Sequence, residues 1–383
     1  MKKKVLSVLL VLVLVLSFSL VTAVPVAANG LSEVWVDDDW QIGNPPYAED
    51  TDEDNDFATI QAAIDAVDPS GTVNVAAGTY EEKVKIMDKS LTLLGAQTDI
   101  PIVDGERAED ESIIRGEVDW RGYPLWWCVI RIQHSDVVVN GFTIEKGKRG
   151  IAIQGRDEGI SDIVVSYNYI KNNGRYSSDA GIFRDDSVVD ITITHNYIAS
   201  NPKGIATRGG ATTITDNTFY GNGKGIDFLH GDPSSMYFED CAEPNYPTLI
   251  SDNTFTNDRT SIKLSLRGHQ FITVTGNDIT GARTVAIETS GWGLDLVNPV
   301  INYNNISDNE FGINNQVTEI PLNAINNWWG HASGPSGPGG RTNPDDVVIG
   351  KGDAVSDNVE WDPWLRRSVW TNPAGKDLPP GRR

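Results

Sequence analysis

The sequence predicts an all-β fold, a parallel β-solenoid whose first coil is preceded by a short N-terminal cap helix. Two observations predict it. A short pattern recurs along the chain, namely Asn, any residue, then Ile or Phe, as in THNYIASNPKGI at 194–205. Within each repeat, apolar and polar residues alternate with the two-residue period of a β-strand. Very short strands stacked repeat upon repeat make a solenoid.

Eight asparagines anchor the repeat: Asn140, Asn168, Asn196, Asn217, Asn253, Asn277, Asn304 and Asn326. The intervals between them are 28, 28, 21, 36, 24, 27 and 22 residues, so loop insertions lengthen a short basic unit. The positions two places later are apolar and are expected to point inward: Phe142, Ile170, Ile198, Phe219, Phe255, Ile279, Ile306 and Trp328. Because Asn tolerates left-handed backbone angles, these residues suit tight corners, where stacked amides can bond along the axis.

The ends of the solenoid have their own signals. FATIQAAIDAV, 57–67, places its apolar residues on one helical face, as a cap helix over the first coil would. NNWWGHASGPSGPGG breaks the repeat, and Trp328 and Trp329 are expected to close the far end. The predicted organisation is a signal peptide (1–28), an acidic N-terminal segment (29–56), the solenoid with its cap (57–330), a C-terminal cap segment (331–370) and a disordered tail (371–383).

The first residues predict export. MKKK is followed by a long apolar run and then by small residues, the pattern of a secretory signal peptide with cleavage after Ala28. An uncleaved membrane anchor is the alternative. Without the three lysines of the leader, 28 basic residues face 53 acidic ones. Such a chain repels nucleic acid and anionic lipid, so a secreted or cell-surface protein without a nucleic-acid partner is expected.

The repeat and the cap resemble the right-handed parallel β-helix proteins, a superfamily that includes pectate-lyase-like enzymes and NosD-like secreted repeat proteins. The resemblance covers about residues 57–330 and implies the right-handed winding. It also implies a polysaccharide-binding groove along one face, since several relatives act on polysaccharides. The fold hosts many functions, so activity needs its own argument.

The second strand of each repeat, in stretches such as KGIATR and VAIETS, is taken as the wall of that groove. If its isoleucines point inward, Asp227, Lys263 and Glu288 form one outward row, with Asp185 beside Arg208. His230, Arg267 and His269 lie at the rim. One interpretation is a groove with carboxylates for acid–base chemistry on a sugar chain. The other is a ladder of opposite charges that stabilises stacking.

The motifs of the related enzymes match incompletely. Asp185 and Asp186 match the Asp-Asp element of polygalacturonases, and Gly268-His269-Gln270 matches half of their Gly-His-Gly element. Pectate lyases use calcium-binding acids with an Arg or Lys base, which Asp185, Asp186, Asp227 and Lys263 could supply. The candidate catalytic residues are therefore these four, for either a lyase or a glycoside hydrolase.

Three further features point to ligands. Asp50, Asp52 and Asp54 alternate as at the start of a calcium loop, although the central Gly is missing, so calcium is the candidate cofactor. Trp126 and Trp127, and Trp292 between two glycines, could stack on sugar rings or pack on the solenoid. The separation of Cys128 and Cys241 along the axis leaves their pairing open.

The sequence therefore predicts a secreted or surface protein that binds polysaccharide or a cell-envelope glycan along its long face and could cleave it. The alternative is a non-catalytic repeat protein that acts as a rigid spacer or adhesin. The oligomeric state is not predicted.

Overall fold

The backbone winds through three parallel sheets that run side by side along a common axis, each coil adding one strand to each sheet. A computed structural model describes residues 30–39, 55–107, 110–119, 122, 125, 127–155, 159–185, 188–208, 211–229, 247–266, 271–291, 298–337 and 350–369. Consecutive coils pair in parallel register, so equivalent side chains lie about 4.8 Å apart along the axis.

Sheet 1 has thirteen strands in the described residues. In spatial order they are β2 (Asp56–Phe57), β1 (Leu31–Val36), β3 (Val67–Val75), β6 (Leu91–Leu94), β9 (Val137–Asn140), β12 (Ile163–Ser166), β15 (Ile191–Thr194), β18 (Thr212–Thr215), β21 (Thr248–Ser251), β24 (Ile272–Thr275), β27 (Val300–Asn302), β30 (Leu322–Asn323) and β33 (Val359–Glu360).

Sheets 2 and 3 have nine described strands each. Sheet 2 contains β4 (Gly78–Tyr80), β7 (Ser112–Arg115), β10 (Phe142–Glu145), β13 (Tyr169–Lys171), β16 (Tyr197–Ala199), β19 (Thr218–Tyr220), β22 (Thr254–Thr256), β25 (Asp278–Thr280) and β28 (Asn305–Ser307). Sheet 3 contains β5 (Val84–Ile86), β8 (Ile130–Ile132), β11 (Arg149–Ile153), β14 (Ala180–Arg184), β17 (Lys203–Thr207), β20 (Lys224–Phe228), β23 (Thr260–Ser265), β26 (Val285–Ser290) and β29 (Ile313–Asn315).

The predicted cap helix is present as α1 (Ile60–Ala66). It begins later than the sequence pattern indicated because Phe57 belongs to β2, which pairs with β1. The Thr59 side chain accepts a hydrogen bond from the Ala62 amide, and the Glu82 carboxylate accepts from the Ile60 amide. These bonds satisfy amides that an uncapped helix start would leave open. Ile60 and Ile64 are buried, so the helix covers apolar residues of the first coil.

The interior is filled by columns of identical or similar side chains. Sheet 3 contributes an isoleucine from each of seven coils, all without solvent exposure: Ile151, Ile182, Ile205, Ile226, Ile262, Ile287 and Ile313. In sheet 2, the rings of Phe219 and Phe255 stack with centroids 4.5 Å apart. The inward columns predicted from the alternating pattern are therefore the core. Burial of each such side chain stabilises the fold by roughly 1.5–3 kcal/mol.

The recurring asparagines form a buried ladder at the corner between sheets 1 and 2. Each amide oxygen accepts from the backbone N–H of the equivalent residue one coil earlier. Asn196, for example, donates from its backbone N to Asn217 Oδ1 at 3.0 Å and from its Nδ2 to the same oxygen at 3.0 Å. This first ladder consists of Asn168, Asn196, Asn217, Asn253, Asn277, Asn304 and Asn327. The structural role predicted for the asparagines is confirmed by these bonds.

Two details of that prediction were wrong. The left-handed backbone belongs to the residue before each ladder asparagine, such as His195 (φ 56°) and Asp216 (φ 56°). The register also shifts at both ends. Asn140 lies in β9 opposite Ser166, and Phe142 occupies the ladder position. At the far end Asn327, not Asn326, is the ladder residue. Trp329 therefore points inward with no solvent exposure, whereas Trp328, which was predicted to point inward, is half-buried.

A second ladder, unforeseen from the sequence, lies at the corner between sheets 2 and 3. Asn173, Asn201 and Asn222 repeat the same bonds, and Asp258 then takes the next place. Asp258 Oδ1 accepts from the Asn222 backbone N at 2.7 Å and from its Nδ2 at 3.0 Å. Its Oδ2 is buried and makes no hydrogen bond within the described residues. Burial raises the pKa of this carboxyl to about 7, partly offset by the bonds from Asn222 and by Arg283.

Replacing Asn217 by Ala should lower the free energy of unfolding by about 3 kcal/mol or more. The change leaves the Asn196 backbone N and Nδ2 without their acceptor, and the Ile193 and Thr215 carbonyls without their donor. Urea unfolding monitored by circular dichroism measures the loss. Asn314→Ala, an outward amide of sheet 3, is the control and should change stability by less than about 0.5 kcal/mol. Equal losses would contradict a ladder that supports the fold.

Replacing Asp258 by Asn should stabilise the protein at pH 8. The folded-state pKa of about 7 lies above the ordinary pKa of an aspartate carboxyl, 3.8. Between these values the folded protein binds more protons than the unfolded chain, so the contribution of Asp258 to stability falls as the pH rises from about 4 to about 7. The stability difference between Asp258→Asn and the wild type should grow through that window and then level off.

Urea unfolding at a series of pH values measures that difference. Asp258→Ala also removes the titrating group but restores no donor, so it should remain less stable than Asp258→Asn at every pH. A stability difference that stays flat from pH 4 to pH 8 would contradict the protonated carboxyl.

Candidate functional site

The outer face of sheet 3 brings the predicted charged row together. Asp227 pairs with Lys263 and Lys263 with Glu288 in the β-register, so the three lie on successive coils. The whole row, from β5 to β29, is Lys85, Arg131, Ala152, Phe183, Ala206, Asp227, Lys263, Glu288 and Asn314. Asp185 and Arg208 stand at the neighbouring outward position, directly after β14 and β17.

A second row, which the sequence analysis missed, runs along the start of the same strands. It contains Arg149, Ala180, Lys203, Lys224, Thr260 and Val285. The basic residue before Gly-Ile in RGIAIQ, KGIATR and KGIDFL is the sequence signal for it. Across the positions named in these two rows and at 185 and 208, seven residues are basic and three are acidic. The chain as a whole carries a net charge of −22.

Asp227 is enclosed by two lysines. Its Oδ2 lies 2.8 Å from Lys203 Nζ on the preceding coil and 2.9 Å from Lys224 Nζ on its own strand. The residue is 1 % exposed. Because a buried carboxylate needs compensation for its lost hydration, the two ammonium groups keep this charge in place. The Asp227 carboxylate is therefore screened from solvent by its own partners.

Lys263 and Glu288 form a separate pair nearer to the surface. Lys263 Nζ lies 2.6 Å from Glu288 Oε1, and both side chains keep partial exposure. A pair of this kind between adjacent strands contributes less than about 1 kcal/mol. It leaves the outer edge of both side chains open to solvent and to a ligand.

Arginine and aromatic side chains form a cluster at the N-terminal part of the face. The guanidinium carbon of Arg149 lies 4.1 Å from the ring centre of Trp127 and 3.5 Å from that of Phe183. Arg131 lies 5.1 Å from Trp127, and Arg208 lies 6.0 Å from Phe183. Such cation–π contacts stabilise by roughly 0.5–2 kcal/mol each. We call Trp127, Arg131, Arg149, Phe183 and Arg208 the arginine cluster.

Burial perturbs two groups in and beside the arginine cluster. Desolvation lowers the pKa of Arg149 to about 10, and the neighbouring Arg208 lowers it further, while Cys128, Asp179 and Asp185 partly offset the effect. Desolvation also raises the pKa of the buried Cys128 thiol, with Arg131 acting in the opposite direction. Cys128 is a free thiol.

Several predicted site residues lie outside the described part of the chain: Asp50, Asp52, Asp54, Trp126, Asp186, His230, Arg267, His269 and Trp292, together with Cys241. The calcium segment and the histidine rim therefore stay predictions. Within the described residues, no group of three or more His, Cys, Asp or Glu side chains is arranged to hold a metal ion. No described helix is long and apolar enough to cross a membrane.

Sheet 1 presents a different outer face. From β6 to β30 its outward strand positions carry no charged side chain in the described strands. One outward row is Thr92, Val138, Val164, Thr192, Thr213, Leu249, Thr273, Val300 and Asn323. Basic side chains are thus concentrated on sheet 3 and kept off sheet 1, which makes sheet 3 the candidate functional face.

Comparison with known families confirms the winding of the coils. Residues 128–297 match the family model described as "Right handed beta helix region". The protein is a right-handed parallel β-helix. The matched segment contains most of sheet 3 and every residue of the arginine cluster except Trp127. No curated protein sequence matches the chain.

Solved structures with similar coils have low sequence identity to this β-helix. An alginate lyase from Paenibacillus sp. str. FPU-7 is 13 % identical, with a TM-score of 0.46, over 78 % of this chain and 95 % of the lyase. The Dettilon tailspike protein is 15 % identical, with a TM-score of 0.38, over 75 % of this chain and 61 % of the tailspike. Escherichia coli YbhC is 11 % identical, with a TM-score of 0.39, over 88 % and 86 %. At these TM-scores the likenesses say nothing about activity.

Replacing Asp227 by Ala should cost about 3 kcal/mol of unfolding free energy, because Lys203, whose side chain is 11 % exposed, would lose its carboxylate. Replacing Glu288 by Ala, which breaks the more exposed pair with Lys263, should cost less than about 1 kcal/mol. Urea unfolding at constant salt compares the two variants. Equal costs would show that enclosure does not distinguish the two carboxylates.

Proposed function

We propose that this β-helix protein is exported and binds a polysaccharide along the outer face of sheet 3, with the sugar chain parallel to the solenoid axis. The observation that carries the proposal is the alignment of outward polar and charged side chains in register over successive coils. A linear polymer laid along the axis meets one position of this row at each coil. The sequence pattern of residues 1–28 supports export.

Aromatic surface on the same face supports the proposal. Trp127 is 39 % exposed, a large fraction for a ring that already packs against two arginines. Flat apolar rings suit the faces of sugar rings, while nearby polar groups fix orientation. Ala180, Phe183 and Ala206 form a small buried apolar cluster that supports this face, with Leu229 packed against them. Ring stacking and hydrogen bonding are thus available within a few coils of each other.

The geometry favours binding over cleavage at the charged row. A general acid or base must reach the sugar, and Asp227 is enclosed by two ammonium groups that would both have to move. Lys263 is held 2.6 Å from Glu288. Of the four catalytic candidates, Asp227 and Lys263 belong to these ion pairs and Asp186 lies outside the described residues. The fourth, Asp185, stands at an outward position after β14. Cleavage by a lyase or hydrolase step would depend on it and on Asp186.

A rigid spacer is the second candidate function. Two observations favour it: the buried amide ladders, and the matching of Lys203, Lys224 and Lys263 with carboxylates along the same axis. Both stabilise stacking without any ligand. A spacer needs a stiff solenoid but no exposed aromatic ring on sheet 3, so the role of Trp127 distinguishes the two functions.

Replacing Trp127 by Ala should weaken glycan binding about tenfold, because the sugar would lose a stacking surface worth roughly 1 kcal/mol or more. A glycan array, with and without calcium, identifies a ligand, and isothermal titration then measures the affinity of the variant. Tyr220→Ala is the matched control, since Tyr220 is 45 % exposed on sheet 2.

Binding that survives Trp127→Ala and falls with Tyr220→Ala would move the site to sheet 2. No binding to any glycan would leave the spacer function. Analysis of reducing and unsaturated ends after incubation tests cleavage, and Asp185→Ala should abolish any products that form.

A further inference from the structure

We infer that the arginine cluster is a subsite for an anionic group of the bound glycan, a carboxylate or a sulfate, held by Arg149 and Arg208. This inference rests on the proposed function, because it specifies which class of polysaccharide sheet 3 binds. It adds Arg149 and Phe183, which the sequence did not single out, to the site.

The Arg149 guanidinium is fixed in position before any ligand arrives. It lies between the rings of Trp127 and Phe183, 4.1 Å and 3.5 Å from their centres. These two ring contacts restrict the rotamers of the Arg149 side chain. A guanidinium held this way presents a fixed fork of donors that matches the geometry of a carboxylate or sulfate. Little side-chain freedom remains to be lost on binding.

Two donor atoms of the subsite have no acceptor. Arg149 Nη1 and Arg208 Nε are buried from solvent and make no hydrogen bond within the described residues. Neither arginine has an ion pair among those residues, whereas Lys203, Lys224 and Lys263 on the same face each have one. Both residues are half-buried rather than fully buried, so an anion from solvent can reach the exposed part of either side chain.

The charges in the subsite repel one another. The guanidinium groups of Arg149 and Arg208 lie within 6.0 Å of the centre of the same Phe183 ring. Desolvation and, less strongly, the charge of Arg208 lower the pKa of Arg149, and Cys128, Asp179 and Asp185 only partly offset this. Two partly desolvated cations held side by side attract an anion at short range, even though the whole chain carries a net charge of −22.

The surroundings favour a glycan over other polyanions. The arginine cluster continues directly into the buried apolar cluster of Ala180 and Ala206 and then into the charged rows of sheet 3. An anionic sugar residue placed at Arg149 and Arg208 would let the following sugars run along the charged rows of sheet 3. The acidic remainder of the chain would repel the closely spaced phosphates of a nucleic acid.

The test compares polymers of equal length and different charge on the full-length protein. The probes are polygalacturonate, dextran sulfate, uncharged dextran and single-stranded DNA, titrated by calorimetry at two salt concentrations. Arg149→Gln and Arg208→Gln should each weaken binding of the anionic glycan at least tenfold and reduce its salt dependence. Arg149→Lys retains the charge but loses the planar fork, so it should weaken binding by a smaller factor. Arg366→Gln, an exposed arginine of the C-terminal segment, should change nothing.

Each outcome decides between the two proposals. Binding of polygalacturonate or of dextran sulfate that depends on Arg149 and Arg208 supports the subsite, and the preferred polymer identifies the anionic group. If dextran binds as tightly as the anionic glycans, and neither arginine substitution changes the affinity, the subsite is overturned but the proposed function stands. Tighter binding of DNA overturns the choice of a glycan. No binding to any polymer overturns both.

Thermal unfolding of each variant excludes a loss of binding through misfolding. If Arg149→Gln proves unstable, Arg208→Gln alone decides the question, since its guanidinium contacts Phe183 at 6.0 Å and makes less of the packing.

Discussion

The buried amide ladder is the interaction on which the rest of this β-helix depends. At each corner the chain must turn without leaving backbone N–H groups unpaired in a dry interior. The asparagine side chain solves this by accepting from the preceding coil and donating to its carbonyls, as Asn196 and Asn217 show. Because each amide bonds to the next, the corners fix the register of all three sheets. The columns of isoleucine and phenylalanine, and the outward rows of sheet 3, follow from that register.

Asp258 shows that a ladder position requires both an acceptor and a donor. A carboxyl in an amide position can accept from Asn222 in the same way, but it offers no N–H for the carbonyl above it. It fills that role only when it carries a proton, which is consistent with its raised pKa of about 7. A carboxyl in place of the amide thus makes the folding free energy depend on pH near neutrality, although the corner keeps its geometry.

Much of the fold was predictable from the sequence, because a pattern that repeats along the chain indicates which residues stack on one another in successive coils. Alternation around Asn168 and Asn196 predicted the strands and their inward faces, and the stretch 57–67 predicted α1. The predicted register was wrong at both ends. Asn140 and Asn326 fit the repeat pattern of the sequence, but the nearby Phe142 and Asn327 occupy the ladder positions. The Asn140 amide bonds instead to Asp99 in the loop after β6, a contact between distant residues that the repeat pattern does not show.

The candidate site was predictable only in part. The row of Asp227, Lys263 and Glu288 followed from counting outward positions. The lysines that enclose Asp227 did not, because Lys203 and Lys224 precede a glycine that breaks the simple alternation. Arg149 contacts Trp127 and Phe183, which belong to the coils before and after its own, and no spacing along the chain predicts a contact of that kind.

The ladder also makes the stacking of the coils independent of the length of the turns between them. Asn196 and Asn217 are 21 residues apart, and Asn217 and Asn253 are 36 apart, yet both pairs make the same bond at 3.0 Å. The length of chain between two corners is therefore of no consequence to the stack. Turns can grow, shrink or exchange residues while the coils beneath them stay unchanged, so a β-helix of this type can acquire a new ligand without first acquiring a new fold.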